Sequence, residues 1–110
     1  MNTILELRKK KVPFAVVSAD YLFNEGNDRD WFIISPSHDS QVRKVLYSLG
    51  FEFLQGYNAF QKDLTYQEVR GFFQEIHNYE YAHESNDLIV YQLKGTNFKD
   101  EYKRKIYYSL

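Results

Sequence analysis

Apolar positions recur along this chain with two periods, and the switches between them lay out its elements. Val42, Val45, Leu46 and Leu49 fall at i, i+3, i+4 and i+7 and predict a helix. Ser37 or Asp39 is placed to cap its start, and Gly50 ends it as a left-handed C′ residue would. Val69, Phe72, Phe73 and Ile76 predict a second helix with those four side chains inward. Its entry is a capping box, Thr65-x-x-Glu68, with Leu64 and Val69 in the hydrophobic-staple positions. Short apolar runs at 14–17, 31–34 and 88–93 read as strands, and 51–54 with 57–61 as a hairpin about Gln55-Gly56.

The ends are read from caps and breakers. Thr3-Ile4-Leu5-Glu6 fits a further capping box, opening a short helix with Ile4 and Leu7 inward. That helix runs into Arg8-Lys9-Lys10-Lys11, where cations suit the negative end of its dipole, and Pro13 breaks it. Residues 24–30 are polar and turn-rich, and 79–86 are polar apart from their tyrosines; both read as loops. After Gly95 a final helix is predicted over 96–110, with Phe98, Tyr102 and Ile106 on one stripe.

From Trp31 to Leu93 the order is therefore strand, helix, strand, strand, helix, strand. It predicts an α+β domain, a ferredoxin-like (split β-α-β) two-layer sandwich with a mainly antiparallel sheet of about five strands. The core would span 31–93, with an extra N-terminal helix-strand unit over 1–30 and the C-terminal helix outside it. In the last strand Ile89, Tyr91 and Leu93 alternate with Leu88 and Val90, so both faces are apolar. The second sheet face should then be covered by flanking helices or by a second subunit.

Composition narrows the function classes. A chain of 110 residues suits one domain with a single core. Fourteen Lys and Arg against fifteen Asp and Glu give a net charge of −1, so there is no global attraction to nucleic acid or anionic lipid. Ten Tyr and nine Phe exceed ordinary usage, and Tyr in surplus of core needs points to an interaction surface. Cysteine is absent, which removes disulfides, thiolate nucleophiles and Cys-type zinc sites and fits a reducing compartment. Its apolar runs are too short to span a bilayer and its start lacks signal-peptide order, so no membrane contact and a cytoplasmic location are expected.

Candidate chemistry is sparse. His38, His77 and His83 lack the i, i+4 spacing of a helical metal pair, and Glu80 and Glu84 beside the last two make only a solvated acidic stretch. Ser35, Ser37 and Ser40 around His38 and Asp39 are explained by turns and caps. The five glycines form no phosphate loop, so neither a catalytic residue nor a metal or cofactor is predicted. Two basic clusters remain, Arg8 to Lys11 and Lys99 with Lys103, Arg104 and Lys105. The second is interleaved with Tyr102, Tyr107 and Tyr108, a mixture suited to phosphates and stacked bases. Asp20, Glu25, Asp28 and Asp30 precede the core, and Glu75, Glu80, Glu84 and Asp87 follow its second helix. Converged, they would present a negative face, with Asp28 and Asp30 as candidate binding residues.

The Phe32-Ile33-Ile34 strand, the helix from Val42 to Leu49 running into Gly50-Phe51, and the Phe53-Leu54-Gln55-Gly56-Tyr57 hairpin together carry a resemblance. With the Asp63-Leu64-Thr65 helix entry and the closing strand from Asp87 to Leu93, residues 32–93 resemble the ferredoxin-like endoribonucleases. That group contains VapD-type toxins and the CRISPR adaptation nuclease subunit. The resemblance implies homodimers and an aspartate, at the end of the first core strand, that binds metal or serves RNA cleavage. The matching position here is Ser35, whose hydroxyl carries no charge to hold Mg²⁺; Asp39 or Asp20 could substitute only by a different arrangement.

Three functions follow in order of expectation. The first is a non-catalytic module that binds another protein or its own copy. Phage and mobile-element inhibitors of host defence, such as anti-CRISPR proteins, are one such class, though no motif names it. The second is a metal-dependent endoribonuclease of the resembling group. The third is nucleic-acid binding through the C-terminal Lys and Tyr segment.

Overall fold

The computed structural model of the chain describes residues 2–20, 29–36, 39–54 and 59–96. The turn expected at Gln55-Gly56, the helix expected over 96–110 past Thr96, and Ser37 and His38 lie outside these residues. Within them, α1 (Thr3–Lys9) leads to β1 (Ala15–Ala19) and β2 (Asp30–Pro36). There follow α2 (Ser40–Ser48), the β3 (Glu52–Leu54) and β4 (Ala59–Asp63) pair, and α3 (Tyr66–Gln74). A 3-10 turn at Ile76–Asn78 then enters β5 (Tyr79–Glu84) and β6 (Leu88–Leu93).

The strands form one antiparallel sheet in the order β3-β4-β2-β1-β6-β5. The α+β class and the antiparallel sheet are thus as expected. β4 lies between β2 and β3, the two strands that α2 connects. The upstream strand β1 is not an outer addition: it sits in the middle, paired to β2 on one side and β6 on the other. Its burial agrees with that place, since all five of its residues are buried.

Each helix begins and ends for a local reason. Asp39 caps α2 by accepting from the Gln41 amide at 2.8 Å, and Gly50 after it has φ +90°, the left-handed value a C′ residue needs. Thr65 and Glu68 make the reciprocal capping box at the head of α3. At the head of α1 the expectation is corrected. Asn2, not Thr3, is the cap, its Oδ1 accepting from the Leu5 amide at 3.1 Å. Thr3 is the first helical residue and fully buried, and its amide donates to Glu68 Oε2 at 3.0 Å. Asn ranks above Thr as a cap, and Thr3 is released to join α1 to α3.

The side chains of Ile4 and Leu7 (α1), Leu46 and Leu49 (α2) and Phe72 (α3) share one cluster with Phe14, Val16, Ile33, Phe60, Tyr79 and Tyr91. Helices therefore cover one face of the sheet. On the opposite face the described residues form a second cluster, all of them from strands, among them Ala15, Val17, Phe32, Ile34, Leu88 and Val90. These residues are buried, as the apolar alternation of β6 requires.

The loop expected at 79–86 is corrected to strand through Glu84. β5 pairs with β6 from Tyr79 opposite Leu93 to Glu84 opposite Ile89. Tyr79 is buried and Tyr81 lays its ring against Tyr91, so the tyrosines supply the apolar half of the alternation. A register shift between Tyr81 and His83 interrupts the period of two, which hid the strand from pattern reading.

Candidate functional site

A groove of about 810 Å³ opens where β2 begins and β4 hands the chain to α3. Its floor follows from the register. Phe32 lies opposite Asp63, and the Leu64 amide donates to the Trp31 carbonyl at 3.0 Å, so the entry to α3 is tied to the start of β2. Asp30, Phe32 and Asp63 occupy the same side of the sheet, because Asp30 is two residues from Phe32.

The wall of the groove comes from one stripe of α3. Tyr66, Val69 and Phe73 stand at i, i+3 and i+7 and all line it. Tyr66 is 77% exposed and Phe73 47%. The inward placement expected for Phe73 is therefore corrected. Phe72 fills the core, and Phe73, one residue around the helix, turns its ring edge-on to half-buried Trp31 at 5.1 Å. Trp31 also meets Phe72 at 5.8 Å and stacks on Tyr91 at 6.0 Å, which holds the indole from behind. Burial, and then neighbouring Tyr81, push the Tyr91 hydroxyl above the ordinary phenol value, so it remains a neutral donor.

Electrostatics divide the lining residues. Arg29 is turned away: its Nε and Nη2 donate to the Ser18 hydroxyl (2.7 Å) and carbonyl (3.0 Å), and its Nη1 to the Asn86 carbonyl (3.0 Å). Asp30 and Asp63 are both exposed, and among the described residues neither carboxylate makes a hydrogen bond or ion pair. Both carboxylates share the sheet face of Phe32, whereas Trp31 and Phe73 pack against each other on the helix-covered face.

The other residues singled out in the sequence are placed as follows. Asp30 lies in the groove, whereas Asp28, Lys99, Tyr102, Lys103, Arg104, Lys105, Tyr107 and Tyr108 lie outside the described residues. Of the acidic groups, Asp20 and Asp87 are brought together by a 2.9 Å backbone hydrogen bond. Glu75 instead pairs with Arg8 at 3.1 Å, and Glu80 accepts from Gln92 at 2.8 Å. Ser35 is fully buried and its hydroxyl donates to the Pro13 carbonyl, a structural use of the position where the resembling nucleases carry an aspartate. Among the described residues no three His, Asp or Glu side chains cluster to hold a metal ion. No helix among them is long and apolar enough to cross a membrane.

Pattern alone gives Tyr66 no role, puts Trp31 only at the start of a strand, and turns Phe73 inward. The signal available was a tyrosine at the first helical position with an aromatic seven residues on. The chain's single tryptophan, next to Asp30 at a strand start, was the other clue. In comparisons with known proteins, no family model, curated protein or solved structure matches this chain.

Proposed function

We propose that this chain is a protein-binding domain and that it holds its partner in the groove between β2, β4 and α3. The observation that carries this is the gathering of Trp31, Tyr66 and Phe73 along one concave rim, with both α3 rings exposed. Large aromatic side chains held in place from behind are the residues that dominate binding energy at interfaces. They lose little conformational freedom on contact, because their rotamers are few. An inhibitor of a host protein, encoded by a phage or mobile element, is one form such a domain takes. The scaffold reads as half of a ferredoxin-like sandwich, β2-α2-β3 with β4 between, into which β1 has been inserted beside β2.

The test compares surfaces on one fold. The chain, immobilised, captures its partner from cells of its source, and the Tyr66→Ala/Phe73→Ala variant loses that capture. Tyr47→Ala removes another exposed ring, one that lies over Phe60 elsewhere on the molecule, and retains it. Equal capture by the groove variant and the native chain, with unchanged circular dichroism, refutes the reading. Light scattering on both variants distinguishes a foreign partner from a second copy of the chain.

A further inference from the structure

We infer that the second face of the sheet, turned away from α1, α2 and α3, is the docking site of this chain's own C-terminal segment, residues 97–110. That segment lies outside the described residues, and the inference is independent of what fills the groove. Leu7, Leu46 and Phe72 bring the three helices to the first face. On the second face Val17, Phe32, Ile34, Leu88 and Val90 are buried, although no described helix packs there. Alternation and register set carboxylates around this apolar centre. Asp30 and Asp63 share the side of Phe32. Glu52 joins them opposite Gln61, and Glu80 opposite Gln92 borders the far side, two residues from Val90. The face therefore suits an apolar stripe flanked by positive charge.

The C-terminal segment carries that pattern. In the helix that spacing predicts over 96–110, Phe98, Tyr102 and Ile106 form one stripe. Lys99 follows Phe98 and Lys105 precedes Ile106, which puts the two lysines on opposite flanks of it. Ala15, Ala19, Ala59 and Ala82 keep the sheet face shallow, leaving depth for large side chains. As a helix the segment reaches roughly 20 Å, enough to cross β4, β2, β1 and β6, which span about 15 Å. It begins just past Thr96, directly after β6, one of the strands to be covered.

Other occupants fit less well. A second copy laid face to face would set two acidic rims against each other, and a phosphate backbone would meet the same charges. A basic helix of another protein would compete with a tethered segment, whose effective concentration at the face is on the order of millimolar.

NOE spectroscopy on the full chain with labelled methyl groups tests the inference. The Ile106 methyls are expected to show NOEs to those of Val17, Leu88 or Val90. The same contacts should be absent from an isotope-filtered experiment on mixed labelled and unlabelled chains. Contacts seen in the filtered experiment make a second copy the occupant and overturn the inference. So does a spectrum in which Ile106 touches none of these residues. Lys99→Gln/Lys105→Gln is expected to speed amide exchange at Tyr102 and Ile106 by about threefold. Native exchange rates in that variant overturn the part assigned to the lysines.

Discussion

Glu68 fastens the head of α1 to the head of α3 through the Thr3 amide. Its Oε1 accepts from the Thr65 amide at 3.2 Å within its own capping box, and its Oε2 accepts from Thr3 at 3.0 Å, 65 residues away in sequence. Lys62 Nζ reaches the same threonine's hydroxyl at 3.0 Å. One carboxylate thus satisfies donors that two helix N-termini would otherwise leave open. Glu68→Ala is expected to lower stability by about 2 kcal/mol in urea denaturation, the sum of a lost cap and a lost charge-assisted bond. Glu68→Gln keeps an acceptor and should lose about half of that. No change in either midpoint would show that the link contributes nothing.

The same carboxylate makes stability depend on acid. Burial works to raise its pKa, but the hydrogen bonds from Thr3 and Thr65 outweigh that and hold it below its ordinary value of 4.5. Its contribution is therefore complete above that value and is lost as pH falls through the lower, folded-state value. Denaturation midpoints measured down through this range should fall for the native chain, and less steeply for Glu68→Gln.

Tyr79 behaves in the opposite sense. Burial, modified by Arg8 and Glu75 nearby, pushes its phenol up to about 12, and its hydroxyl has no hydrogen-bond partner among the described residues. Tyr79→Phe removes an unsatisfied group while keeping the ring against Phe72 at 4.8 Å. The variant is expected to be as stable as the native chain or more so by up to about 1 kcal/mol. Between pH 10 and the folded-state value near 12 the native chain should lose stability that the variant keeps. A marked destabilisation of Tyr79→Phe at neutral pH would mean that the hydroxyl is bonded.

Gly71 lies inside α3 where a Cβ would meet nothing within 4 Å, and its φ is not in the left-handed region. Gly71→Ala is expected to raise stability by about 0.5–1 kcal/mol, read as a higher thermal midpoint. An unchanged or lower midpoint would show that the helix needs the freedom of glycine there.

Much of this fold could be read from local pattern. The α2 stripe, the Thr65-Glu68 box and the Gly50 stop are decided by residues within one or two turns of each other, so their chemistry is complete in the sequence. The β6 alternation likewise announced two apolar faces, and both are buried. β5 carries no such mark because its buried residues, Tyr79 and Ala82, are three apart, the period of two being broken by the register shift between Tyr81 and His83. At α1 both Asn2 and Thr3 are cap residues by type, and the contact that takes the Thr3 amide into the interior comes from Glu68 on a distant helix.

Short-range spacing and capping chemistry thus account for which segments are helix and which are strand. The central place of β1 was not available to such reasoning, because strand order depends on which edges meet after collapse and leaves no local mark. The groove is the same kind of feature. Asp30, Trp31, Asp63, Tyr66 and Phe73 belong to three elements, and each alone looks like a strand end or a helix face. Tying the Leu64 amide to the Trp31 carbonyl is what brings the head of α3 beside the start of β2, because register sets which residues meet across the sheet.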